Sequence, residues 1–228
     1  MTLEPVALFH APLPEKFGIP RQSGLVPDLL GELQFLEGKW SPEAFRGLED
    51  FDYLWLIWGF SLNRGKAEVQ AGQTAPLTVR PPRLGGNERM GVYATRSPFR
   101  PNPLGLSSVR LLEVDAAHGI LRVGGADLAD GTPVYDVKPY IPYTDSHPGV
   151  RAGFTDETAW ETLEVEIPDA CAAALEPEMQ EPLRALLAQD PRPSYQKGKD
   201  ARDYALSYAG HNVRFRVEGK RLIVTEIA

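Results

Sequence analysis

Residues 91–108 read Gly-Val-Tyr-Ala-Thr-Arg-Ser-Pro-Phe-Arg-Pro-Asn-Pro-Leu-Gly-Leu-Ser-Ser. Val92 and Ala94 alternate against Tyr93 and Thr95, which predicts a strand. Pro98, Pro101 and Pro103 then each remove a backbone donor and push the preceding residue toward extended geometry. Gly105 is expected to let the chain turn. From Leu106 a second strand is predicted through Val109 and Leu111 to Val114. A stiff loop between two strands thus fixes the directions of Arg96, Ser97, Arg100 and Asn102. It is either a rigid surface loop with solvated arginines or a preorganised anion-binding wall.

Outward from this loop the chain continues as short strands with Gly/Pro turns. Strands are expected at Val6–Phe9, Leu77–Val79, Gly119–Val123, Ala126–Leu128 and Pro133–Tyr140. Phe51–Phe60 is apolar at nearly every position and reads as a strand buried on both faces. Ser41-Pro42 marks a short helix start, and Gly65–Ala75 reads as a loop. Leu163, Val165 and Ile167 alternate with Thr162, Glu164 and Glu166 as a half-solvated strand. Residues 1–167 therefore read as a mainly β unit, an antiparallel or mixed β-barrel. From 168 the composition shifts. Helices are expected at Ala172–Leu175 and Glu178–Ala188, separated by Pro177, followed by a hairpin around Gly219. Residues 168–228 read as a small α+β appendage packed on the barrel.

The 228 residues are 43% hydrophobic, enough for a packed core. They contain no apolar run long enough to span a membrane and no signal-peptide pattern, and Cys171 is the single cysteine. The expected compartment is the cytoplasm. The net charge of −7 argues against a general polyanion binder. Between Arg80 and Arg110, however, Glu88 is the only acidic residue against six arginines. Such a local basic face suits a selective nucleic-acid contact, unless acidic neighbours elsewhere in the fold pair with it.

The four histidines lack metal-ligand spacing, so no metal is expected. Neither a phosphate-binding glycine loop nor a nucleophile–base motif appears. Asp127 and Asp130 flank Leu128-Ala129, and Gly131-Thr132 makes a turn. That is an ordinary hairpin or a pair of carboxylates facing a ligand. Asp136, Lys138 and Tyr140 fall on one side of a strand, either a solvated ion-pair face or an active-site wall.

Four motifs in order resemble the TrmO (TsaA-like) family. They are Arg96-Ser97-Pro98-Phe99-Arg100-Pro101-Asn102-Pro103-Leu104-Gly105, the upstream stretch from Val79 to Asn87, the stretch from Asp130 to Tyr140, and the tail from Ala188 to Tyr195. The resemblance implies an S-adenosylmethionine-dependent tRNA methyltransferase acting on N6 of threonylcarbamoyladenosine beside the anticodon, in threonine tRNA, as a homodimer. It implies a cofactor site at Gln22, Ser23, Gly24, Ser61, Leu62, Arg96, Leu106, Asp127, Asp130, Gly131, Thr132 and Pro133. The family often has histidine at the position of Ser61, so no imidazole role carries over. Methyl transfer suits a chain without metal or nucleophile motifs, because the cofactor brings the electrophile. Asp136, Lys138 and Tyr140 are the expected catalytic residues, with Asp136 as proton acceptor. Arg83, Arg100, Asn102, Arg192 and Tyr195 are expected on tRNA. The competing reading is a non-catalytic S-adenosylmethionine- or RNA-binding module.

Overall fold

The computed structural model describes residues 2–63, 77–157, 161–193, 196 and 202–228. The expected loop at Gly65–Ala75 lies outside them. The first unit carries β1 (Ala7–His10), β2 (Leu30–Phe35), β3 (Tyr53–Gly59), β4 (Thr78–Val79), β5 (Met90–Gly91), β6 (Leu104–Asp115), β7 (Ile120–Gly124) and β8 (Thr132–Pro139). Six of these close into a barrel in the order β1-β2-β7-β6-β3-β8, with every neighbouring pair antiparallel. Closure removes the exposed edges that an open sheet of this length would present. β4 and β5 pair separately.

One face of a closed sheet points inward, so apolar residues on strands separate by parity. On β3, Leu54, Leu56 and Trp58 are buried inside, while Tyr53 is exposed and Trp55 and Ile57 are half-buried. Phe51–Phe60 is therefore buried on one face, not two. The interior is filled by Phe9, Leu33, Leu54, Leu56, Val109, Leu121 and Val134. Each such side chain contributes about 1.5–3 kcal/mol by leaving water. Gly31 makes room for the Phe9 ring: a Cβ there would lie 2.3 Å from Phe9 Cζ.

Local expectations fail where packing overrides pattern. Val92–Ala94 is one turn of 3-10 helix after the two-residue β5, not a strand. Gly105 does not turn the chain; it lies inside β6 opposite Trp58. Ala126–Leu128 is irregular because it crosses the barrel end. β2, interrupted by Gly31 and Glu32, was not expected from the pattern.

Short helices α1 (Pro142–Asp145) and α2 (Phe154–Glu157) lead to the second unit. It comprises β9 (Glu164–Glu166), α3 (Asp169–Ala172), α4 (Pro177–Ala188), β10 (Asp203–Tyr208), β11 (His211–Glu218) and β12 (Arg221–Ile227). Pro177 opens α4 at its first turn, where a missing N–H costs nothing. The sheet order is β10-β11-β12-β9, with β9 parallel to β12. The strand around Val165 thus belongs to this sheet and not to the barrel. The second core also takes in Leu13, Val26 and Leu29 from the β1–β2 connector. Phe17 stacks on Tyr204 and Phe215 at 6.5 and 6.3 Å, and Ala209 N–H donates to the Pro12 carbonyl at 2.8 Å. The connector at 11–29 is therefore clamped between the barrel and the second sheet.

Candidate active site

Strand direction gathers the site. In an antiparallel closed barrel, the ends of β1, β3 and β7 and the starts of β2, β6 and β8 share one mouth. The registers Phe9↔Thr132, Leu30↔Gly124 and Gly59↔Leu104 mark it. The segments at 11–29, 60–63, 92–103 and 125–131 emerge there. They carry Gln22, Ser23, Gly24, Ser61, Leu62, Arg96, Asp127, Asp130 and Gly131, while Thr132 and Pro133 lie buried at the head of β8. Leu106, near the head of β6, is exposed.

A polar chain runs across this mouth. Trp58 points inward from β3 and lies over Gly105, where a Cβ would stand 2.2 Å from its ring. A strand glycine here serves close approach. The Trp58 indole N–H donates to Ser107 Oγ at 2.9 Å, and the Ser107 hydroxyl donates to Asp127 Oδ1 at 2.5 Å. Burial pushes the Asp127 carboxyl above its ordinary range. The Ser107 bond, the Asp127 and Ser23 amides and the Arg96 charge pull against that rise without cancelling it. Arg96 Nη1 donates to Gln22 Oε1 at 2.5 Å, and Gly24 N–H donates to the Gly125 carbonyl at 2.8 Å. A cation, a tuned carboxylate and an amide side chain thus converge.

The proline loop braces itself. Thr95 Oγ1 donates to the Val92 carbonyl at 2.8 Å, Phe99 N–H donates to Ser97 Oγ at 3.2 Å, and Arg100 Nη1 donates to the Thr95 carbonyl at 3.2 Å. Arg96 is left to face the mouth. Where β3 ends and β6 begins, a cleft of about 440 Å³ is lined by Leu3, Gly59, Phe60, Ser61, Asn102, Pro103, Leu104 and Tyr135. Tyr135 falls at a register shift opposite Ile57 and Trp58, and its hydroxyl covers Gly59. The cleft volume is that of a small-molecule site, and the charged groups at the mouth suit a zwitterionic nucleoside ligand. S-adenosylmethionine fits this donor set.

Residues 8–146 match the tRNA-methyltransferase O N-terminal domain, and residues 161–228 match the TrmO C-terminal domain. The chain belongs to the TrmO family. It is 44% identical over 223 residues to a tRNA (adenine(37)-N6)-methyltransferase of Escherichia coli, covering 94% of this chain and 92% of that one. It is 39% identical to a putative S-adenosylmethionine-dependent methyltransferase of Pseudomonas aeruginosa, covering 90% of this chain and 87% of that one. A crystal structure of TrmO from Pseudomonas aeruginosa superposes with a TM-score of 0.77 at 30% identity, covering 100% of this chain and 98% of that one.

Within this TrmO-family fold the expected residues separate into groups. Asp130 closes the end of β1: its Oδ1 accepts from Ala11 N–H at 3.1 Å and lies 3.3 Å from His10 Nδ1. Asp136 and Lys138 form a half-exposed ion pair at 3.2 Å. Lys138 and Tyr140 lie roughly 20 and 26 Å along β8 from Thr132, at a strand rise of about 3.3 Å per residue. Tyr140 packs there on Trp55 at 5.5 Å, not at the mouth. Trp55 in turn donates to Asp145 at 2.8 Å; the Ile141 amide and this bond hold the Asp145 carboxyl below its usual range. Of the expected row, Lys138 and Tyr140 therefore lie away from the mouth, while Asp136 directly follows Tyr135, which lines the cleft. Arg83 Nη2 donates to the Thr155 carbonyl at 3.0 Å, so Arg83 and Arg100 both brace backbone.

Arg192 was expected to be presented to RNA. It is 4% exposed and paired with Asp190 through its Nε at 2.8 Å and its Nη2 at 3.2 Å. The tail motif folds back on itself, with Asp190 at a φ of 51°, and buries its arginine. Tyr195 lies outside the described residues. Trp58, Ser107 and Tyr135 were missed: Trp58 sat in an apolar run that reads as core, Ser107 in a stretch read only as strand, and only the register shift reveals Tyr135.

Proposed function

We propose that this chain is an S-adenosylmethionine-dependent methyltransferase acting on N6 of the adenine at position 37 of tRNA, in its threonylcarbamoyl form. The reading rests on similarity, over 94% and 78% of this chain, to two enzymes named for tRNA (adenine(37)-N6) methylation. The observation that carries it is the convergence of Gln22, Arg96, Asp127 and Ser107 at the mouth.

S-adenosylmethionine, when bound, would supply an electrophilic methyl group on its sulfonium. Arg96, oriented by Gln22, would hold its carboxylate. Asp127, oriented by Ser107, would accept a hydrogen bond from an amine or ribose hydroxyl. Thr132 and Pro133 wall the mouth and help exclude water. Asp136, next to Tyr135, is the proton acceptor in this reading. Arg80 and Arg89, both exposed, present the basic face to RNA. The working form is a cytoplasmic homodimer acting on threonine tRNA, and sedimentation measures its assembly.

Labelled methyl transfer to tRNA with and without the threonylcarbamoyl group tests the reading. Transfer to the modified tRNA alone is expected. Cofactor binding without transfer to either tRNA would mark a non-catalytic module instead.

A further inference from the structure

Within the connector that the second unit clamps, Arg21 links the segment beside the mouth to the tail motif. Arg21 Nη2 donates to the Arg192 carbonyl at 3.1 Å. Arg192 is itself locked by Asp190, and both side chains are 5% exposed or less. The carbonyl of Arg21 receives Gln22 Nε2 at 2.5 Å, while Gln22 Oε1 receives Arg96 at 2.5 Å. The Ser23 amide reaches Asp127. One face of the 21–24 segment therefore grips the tail motif, and the next residues shape the cofactor mouth.

We infer that the buried Asp190–Arg192 pair is a positioning element for the cofactor site, acting through Arg21 on Gln22, Arg96 and Asp127. The inference rests on the function proposed above. It gives the stiff tail motif a role other than RNA contact. Two bent segments, each stabilised by the other, fix a loop that has no regular structure of its own. A mouth built on a loop needs such support, because a misplaced Arg96 loses its ligand geometry.

Removing the whole unit would bare Leu13, Val26 and Leu29, so point variants are the test. Arg21→Met leaves the Asp190–Arg192 pair in place. Arg192→Met removes it. Arg184→Met serves as control: Arg184 joins α4 to the Val165 carbonyl at 2.9 Å, inside the second unit. Calorimetry with S-adenosylmethionine and thermal unfolding are measured for each. Arg21→Met and Arg192→Met are expected to weaken cofactor binding tenfold or more. Arg184→Met is expected to lower the melting temperature yet bind as the parent does. The double variant Arg21→Met/Arg192→Met should bind no worse than Arg21→Met alone, because the two act in series. Arg21→Lys should recover part of the loss. If Arg192→Met does not fold, Arg21→Met decides. Parental affinity in folded Arg21→Met overturns the inference, whereas a parent chain that binds no S-adenosylmethionine overturns the reading beneath it.

Discussion

The Ser107 hydroxyl donates to the Asp127 carboxylate across 2.5 Å, joining the barrel wall to the segment that crosses its mouth. Ser107 is 1% exposed and also receives the Trp58 indole N–H, so its hydroxyl has little freedom to turn away. The bond fixes which way Asp127 faces. It also favours the ionised carboxylate in a place where burial disfavours it.

That balance gives a pH signature. The folded chain holds the Asp127 proton to higher pH than the unfolded chain, whose value is near 3.8. Between those two values the folded state binds more protons, so this group makes stability fall as pH rises through the window. Asp127→Asn should remove the fall. Urea unfolding from acid to neutral pH is expected to show the variant gaining on the parent as pH rises. Cofactor affinity should drop at least tenfold in the same protein. A parent that gains on the variant with rising pH would mean that Asp127 is held ionised instead.

Gly105→Ala tests the close approach. The added Cβ would meet the Trp58 ring at 2.2 Å, so the buried indole would have to shift. Overpacking of this kind costs about 1–3 kcal/mol. The tilt of Trp58 would also pull its N–H from Ser107. The expected result is a lower unfolding midpoint in urea together with weaker cofactor binding. Gly91→Ala, where a Cβ meets nothing within 4 Å, is the matched control.

The barrel was legible because its strands announce themselves. β3, β6 and β8 alternate or run apolar, and Gly/Pro turns separate them. The mouth was legible only through motif resemblance, since Gln22 and Arg96 meet across 74 residues of sequence and Ser107 and Asp127 across 20. Period-2 reasoning put Asp136, Lys138 and Tyr140 on one side of β8, but says nothing of distance along it. A row on one strand spans the barrel from middle to far end. The tail motif misled for a different reason: prolines stiffen a segment without saying which way it faces. Arg192 turned inward because Asp190 is two residues away and offers both carboxylate oxygens.

The basic face should be probed at Arg80 and Arg89, not at Arg83 and Arg100, which brace the Thr155 and Thr95 carbonyls. Arg89→Glu is expected to weaken tRNA binding and lower the slope of log affinity against log salt by about 1. Cofactor affinity should not change. Arg83→Glu should instead loosen the 154–157 turn and lower thermal stability. An unchanged salt slope in both Arg80→Glu and Arg89→Glu would move the RNA contact off this face.

The proton acceptor is the most exacting case. The acceptor nitrogen of a threonylcarbamoyl adenine is urea-like, with its lone pair delocalised, so losing its proton restores reactivity. Asp136 follows Tyr135 on β8; its Oδ1 receives the Val137 amide at 3.0 Å and its Oδ2 lies 3.2 Å from Lys138 Nζ. Asp136→Asn keeps the volume and removes the carboxylate proposed as the base. The expected outcome is a large fall in the single-turnover rate with cofactor affinity near the parent value, the pattern of a group acting in the transition state. Lys138→Met separates the carboxylate from its ion pair. That exposed pair contributes only about 0–1 kcal/mol, so stability and rate should change little. Tyr135→Phe tests the alternative, in which alignment of two bound reactants alone provides roughly 7–11 kcal/mol. If folded Asp136→Asn methylates at the parent rate across the pH range while Tyr135→Phe is slow, positioning by the Tyr135 hydroxyl carries the step and Asp136 leaves the mechanism.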